Sequence, residues 1–276
     1  MRVNSIIAGL RCATFHANHE KVFRALRHHK PRLSSGAGYV PTLAQFGAIM
    51  VSLAPRWLRA PAKLSLNTTM AQYFTIHPLN PQPRLIRQAA EIVRAGGVIV
   101  YPTDSCYALG CHIGDKAAME RMRTIRQVDA RHHFALVCRD LSEIATYAKV
   151  DNRQYRLLKA ATPGCYAFIL EATREVPKRL QHPSRRTIGL RIPDHPVVRA
   201  LLDELSEPLL SSTLILPGDD TPLNDPDEFR ERLEHHVDLI LDAGSCGVEP
   251  TTVVYLTGPE PVITRVGKGE TAVFGV

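Results

Sequence analysis

The stretch Gly96 to Gly110, GGVIVYPTDSCYALG, constrains the fold of this chain more than any other segment. Val98, Ile99 and Val100 form a continuous apolar run, as a strand covered on both faces requires. Pro102 then ends the pairing, because it has no amide hydrogen. The polar residues that follow sit just beyond a buried strand. Strand ends in α/β sheets are where small ligands bind, so Tyr101, Thr103, Asp104, Ser105 and Tyr107 are the first candidates for a site. On residue types alone a closed turn fits equally well, with Asp104 and Ser105 capping the chain and the tyrosines half in the core.

Helix and strand signals alternate from there on. Leu85, Ile86, Ala89, Ile92 and Val93 recur at helical spacing and stop at Gly96 and Gly97, which predicts a helix followed by a strand at 97–101. Asp115 can cap a second helix whose buried face holds Ala118, Met119, Met122 and Ile125. A strand at 134–138 follows. Ser142 and Asp151 are read as caps of two more helices, and a strand covers 165–172. TIGLRI leads into a helix at 196–205. PLLSST, VDLILD, TVVYL and PVITRV add strands, with a helix between the first two where Asp225 caps, Pro226 stands first inside and Glu228 completes a capping-box pattern. Strands outnumber crossover helices towards the end, so antiparallel pairs are required. The fold class is a mixed α/β (α+β) sheet with flanking helices.

Charge divides the chain in two. Residues 1–69 hold ten Lys or Arg against the single acid Glu20, while 70–276 hold 24 against 26, so the basic excess lies wholly in the first part. The pI of about 9.2 therefore says little about partners of the main domain. Residues 1–69 are expected to be a disordered basic extension, either a transit-like segment or sequence upstream of a true start at Met70. A single domain is expected over 70–276. No run of 18 to 20 apolar residues occurs, which argues against a membrane helix. The six cysteines contain no C-x-x-C pair, which suits a reducing cytoplasm, and Cys106, Cys111 and His112 match no zinc spacing, so no metal site is assigned.

Neither G-x-x-x-x-G-K-S/T nor G-x-G-x-x-G is present, so phosphate binding would need side chains and loop amides. Arg121 to Arg139 contains five arginines, two histidines and only Asp129. Lys178 to Arg191 contains five basic residues and no acid. If Arg121, Arg123, Lys178, Arg179, Arg185 and Arg186 share a face, they form a surface for phosphates or RNA backbone. Arg191 differs from them. It lies in a strand between Leu190 and Ile192, where a guanidinium needs a bound partner.

YPTDSCYALG resembles the YPT(D/E)TxYGLG segment of the YrdC-type proteins, the threonylcarbamoyl-AMP synthase family, and is closest to its YciO branch. The resemblance runs from Met70 to about Phe274 through FALVCRD, LLKAATPGCYAFIL, TIGLRIPDHPV, PLLSSTLILPG, VDLILDAG, PTTVVYL and PVITRVGKG, in that order. It implies a twisted, open mixed sheet with a concave, basic binding surface. It also implies a nucleotidyltransferase using ATP with Mg²⁺, L-threonine and bicarbonate, in modification of tRNA adenosine. Thr103, Tyr107 and Arg191 stand where the family holds threonine. The Lys-x-Arg pair that grips ATP in the synthases is matched by Arg126, Gln127 and Val128, and the Ser-x-Asn loop by Thr213, Leu214 and Ile215. Thr251 replaces a serine, and Arg265 and Gly267 match an Arg-Pro-Gly ending. Arg131, His132 and His133 are the residues placed to replace the lost charge, and Arg131 joins the nucleotide set on that ground. Chemistry of this kind needs no enzyme nucleophile, so no catalytic residue is assigned; positioning and neutralisation of phosphate charge carry it. The pattern keeps the amino-acid pocket and weakens the ATP grip. Two other functions are compatible with it: a double-stranded RNA or tRNA binder without synthase activity, and turnover of a carbamoyl-adenylate.

Overall fold

The structure is a computed structural model that describes residues 70–129 and 132–275. The expectations for residues 1–69 and for Arg131 lie outside the described residues.

Ten strands form one open mixed sheet in the order β1-β8-β2-β3-β7-β4-β6-β5-β9-β10. They are β1 (Gln72–Thr75), β2 (Ile99–Tyr101), β3 (Ala108–His112), β4 (Ala135–Val137), β5 (Tyr166–Glu171), β6 (Thr187–Arg191), β7 (Leu209–Thr213), β8 (Leu239–Asp242), β9 (Thr252–Tyr255) and β10 (Val262–Arg265). The helices are α1 (Pro83–Arg94), α2 (Lys116–Arg126), α3 (Leu141–Tyr147), α4 (Asn152–Ala161), α5 (Pro196–Leu205) and α6 (Pro226–Leu233). β2 pairs in parallel with β8 but antiparallel with β3, and β4 in parallel with β6 but antiparallel with β7. The expected mixed sheet is therefore what forms.

Helices cover both faces. One core collects Met122 of α2, Ile144 of α3, Leu158 of α4 and Phe229 of α6 against Val100, Leu136, Leu190 and Leu210. The other collects α1 and α5 against Ile99, Val137 and Leu209. Because side chains alternate along a strand, a residue next to one core's contributor faces the other core.

The caps show how local sequence sets the boundaries. Asp115 accepts from the Ala118 amide and starts α2, and Asp151 with Gln154 makes a full capping box on α4. Asp140, not Ser142, caps α3 by accepting from the Glu143 amide, because the helix begins one residue before Ser142. Asp225 caps α6 as expected, but Glu228 reaches forward to Arg232 at 3.0 Å instead of back to the cap. The larger departure is β3. ALGCH starts inside the signature segment and runs two residues past it, and the chain turns within residues 102–107 to run back antiparallel to β2. Gly110 permits this: a Cβ there would lie 2.8 Å from the Tyr101 ring and 2.6 Å from Leu209.

Candidate functional site

The β2–β3 loop is a hub built around Asp104. One carboxylate oxygen accepts from Arg191 Nη2 at 2.9 Å and the other from the Asp194 amide at 2.9 Å. The Asp104 carbonyl accepts from Lys268 Nζ and from the Cys165 thiol. The turn thereby ties β6, the segment entering α5 and the C-terminal segment together. Gly247 closes in from another side, where any Cβ would run into the Ser105 carbonyl oxygen.

Arg191 ends β6. Ile188 and Leu190 face the first core, so the period of two turns Arg191 to the opposite side. It is 4% exposed. Its Nη2 also donates to Ser105 Oγ at 3.2 Å, while its Nε is buried with no acceptor. The partner demanded by a strand arginine is Asp104, and one edge of the fork remains unsatisfied.

Thr103 and Tyr107 frame this loop from within. Thr103 Oγ1 donates to the Cys106 carbonyl at 2.6 Å and accepts from the amides of Ser105 and Cys106. Tyr107 donates to the Gly244 carbonyl at 2.6 Å, accepts from the Ala243 amide at 3.1 Å, and packs 4.7 Å from Phe229. Both residues are buried and both hydroxyls have intramolecular partners. Tyr101, expected to be half in the core, is wholly buried on Ser211, and burial pushes its phenol up to about 12.

The nucleotide-side residues come together in two pieces. Arg126, the last residue of α2, donates through Nε to the Ile215 carbonyl at 3.3 Å and through Nη1 to Ser212 Oγ, with His132 Nε2 3.2 Å away. Arg265, ending β10, donates to the Thr251 carbonyl and hydroxyl at 3.0 Å each. Burial first, and then the charge of Arg265, lowers the Arg126 pKa; burial also lowers that of Arg265, with Arg191 adding to it. Neither arginine has an ion pair among the described residues. The Cys106 thiol, raised by burial, lies within electrostatic reach of Arg126, Arg191 and Arg265. Thr213 ends β7 opposite Ala108, next to the Ser212 that holds Arg126.

One expectation fails here. His132 does not replace a lost charge: burial, then Arg126 and Arg123, hold its pKa at about 4, so it is neutral at physiological pH. His133 is likewise lowered, by burial first and His182 next. The six surface cations are held in different ways. Arg121 pairs with Asp238 at 2.8 Å and Arg185 lies over Tyr255, 5.8 Å from the ring centre. Lys178 and Arg186 are exposed, while Arg179 reaches the Ile113 and Gly114 carbonyls.

Sequence reasoning missed Ser212 and Lys268. Ser212 carries no local signal; Lys268, standing between Gly267 and Gly269, could have been flagged as a cation on a close-packed strand exit. Among the described residues no three His, Cys, Asp or Glu side chains are placed to hold a metal ion. A cleft of about 650 Å³ lined by Asp219, Asp220, Asp225 and Glu228 is acidic and unsuited to anions, so the arginine cluster is the candidate site.

A family model for Sua5/YciO/YrdC proteins, described as "Telomere recombination", matches residues 91–267. The chain belongs to this family. It is 57% identical to the uncharacterized protein YciO of Escherichia coli K12 over 205 residues, 74% of this chain and 100% of that protein. The crystal structure of E. coli YciO superposes with a TM-score of 0.72 at 56% identity, covering 74% of this chain and 100% of the other. A threonylcarbamoyl-AMP synthase of Vibrio vulnificus is 27% identical over 159 residues, 56% of this chain and 84% of the synthase. P. abyssi Sua5, solved with L-threonine, shares the fold at a TM-score of 0.65 and 22% identity, over 71% of this chain and 57% of Sua5. Within the Sua5/YciO/YrdC family the chain thus stands beside YciO and at a distance from the synthases. No helix among the described residues is long and apolar enough to cross a membrane.

Proposed function

We propose that this YciO-like chain is a nucleotidyltransferase of the threonylcarbamoyl-AMP synthase type, with L-threonine, bicarbonate and ATP as substrates. The carrying observation is the different state of the three arginines. Arg191 is neutralised by Asp104 yet keeps a buried, unsatisfied Nε, which suits one carboxylate oxygen of an amino acid. Arg126 and Arg265 are held by neutral acceptors and keep their charge for phosphates.

In the reaction the amine of threonine takes up carbon dioxide from bicarbonate to give a carbamate. A carbamate oxygen attacks the α-phosphate of ATP, and pyrophosphate leaves. Water is the other product. The chain's residues bind and orient these groups. Among the described residues the donor set builds no magnesium site of its own, so the ion would arrive on the nucleotide's phosphates. Val128, where the synthases carry the arginine of Lys-x-Arg, leaves one phosphate charge unmet and predicts slow turnover.

The test is pyrophosphate release by the full chain with ATP, Mg²⁺, bicarbonate and threonine. Threonine-dependent release supports the reading, and none at high enzyme concentration overturns it. Arg191→Lys keeps the charge beside Asp104 but loses the fork, so the KM for threonine should rise about tenfold or more.

A further inference from the structure

Beside the arginine site, and sharing His132 with it, a small pocket of about 170 Å³ lies between the C-terminal half of α2, the 132–134 segment and the 178–183 loop. Arg123, Lys178, Arg179, His132 and His133 line it over a floor that includes Phe134, and no acid is among its lining residues. The two basic sequence segments, which also pair as β4 and β6, both contribute cations here.

Arg123 and Arg179 are each placed by a different device. Arg123 stacks on Phe134 with its guanidinium carbon 5.1 Å from the ring centre, and Nη1 donates to the Asp129 carbonyl at 2.8 Å. Its side chain is 12% exposed, and its Nε is buried without a hydrogen-bond acceptor, Glu120 lying 3.6 Å away. Arg179 is fixed by carbonyls through Nη2, so its charge is positioned without being neutralised. Lys178 makes no ion pair among the described residues. His133 stacks on His182 at 4.8 Å between ring centres, and His132 shares its Nε2 with Arg126.

We propose that this pocket binds one phosphoryl group, either a free phosphate or a single phosphate of a larger ligand. Arg123, Arg179 and Lys178 gather positive charge in a wall without an acid, Glu120 answering only the Nε of Arg123 at 3.6 Å, and an anion in the pocket would meet the rest. Of the three cations, Arg123 acts on both histidines: after burial, Arg126 and then Arg123 lower His132, and His182 and then Arg123 lower His133, with Asp129 opposing. A volume of about 170 Å³ has room for a phosphate group. The inference does not depend on the threonine-ATP reading, since its three cations are not among the residues that reading uses; His132, which contacts Arg126, is common to both.

The test uses the full chain, with inorganic phosphate or a short RNA duplex added in separate titrations and the imidazole signals of His132 and His133 followed by NMR. Saturable phosphate binding that raises the His133 pKa supports the proposal and identifies a free phosphate as ligand. The same local shift with RNA alone supports it and assigns the phosphoryl group to a nucleic-acid backbone. Lys178→Met, at an exposed position that leaves folding intact, should weaken binding by about tenfold or more; Arg123→Lys, which retains charge, should weaken it less. Unmoved histidine signals with both ligands, or binding that survives Lys178→Met combined with Arg179→Met, overturns it.

Discussion

Arg191 and the pair Arg126 and Arg265 stand around one loop, yet they are stabilised in opposite ways. Arg191 is buried and answered by a buried carboxylate, with side-chain exposures of 5% and 6% for the two partners. Arg126 is half-buried and Arg265 exposed, and both are answered only by carbonyls, hydroxyls and a neutral imidazole. A guanidinium that shares its charge with a carboxylate offers geometry to a ligand; one held by neutral acceptors offers charge. The first suits a small zwitterion that must be oriented, and the second suits phosphates that must be neutralised.

The contrast can be broken most severely at Asp104. Asp104→Ala should cost about 3–5 kcal/mol, because it leaves Arg191 buried and unpaired, and urea denaturation measures this. Replacing both partners by apolar residues should restore part of the loss; additive losses would show that the pair is not coupled. The next effect belongs to His132. Its folded pKa, about 4, lies below the ordinary 6.5, so on acidification the unfolded chain binds the proton first. Stability is then unaffected above pH 6.5 and falls between 6.5 and 4, by up to about 3 kcal/mol. His132→Gln should flatten that part of the denaturation-versus-pH curve.

Arg126→Met or Arg265→Met should change stability by only about 1 kcal/mol, since lost hydrogen bonds are offset by relief of like-charge repulsion. Nucleotide affinity should fall about tenfold or more, as read by calorimetry. A large stability loss with unchanged nucleotide binding would reverse the assignment. The smallest effect is expected at Lys268, whose ammonium is exposed where it meets the Asp104 carbonyl: Lys268→Ala should alter stability by about 0.5 kcal/mol or less, measured by the same denaturation.

Much of the fold was legible because its signals are local. α5 occupies the expected 196–205, and Asp115, Asp151 and Asp225 cap where they were read. Ser142 misled because Asp140, two residues earlier, also suits a cap, and the α3 backbone decides between them. β1 and β3 were illegible for another reason. Gln72–Thr75 is held by pairing with β8, which is 167 residues further on at Gln72↔Leu239, and ALGCH is a strand only because Tyr101 and Leu209 surround Gly110.

The site divides along the same line. The ordered apolar runs, the caps and the identities of Arg126, Arg191 and Arg265 are properties of the sequence, and they suffice for the fold and for naming the cations. Which cation is neutralised and which stays charged is not in the sequence. Asp104 and Arg191 are 87 residues apart, as are Arg126 and Ser212 within one residue. Only packing sets the distance and the dielectric between them, and the energy of a charge pair depends on both.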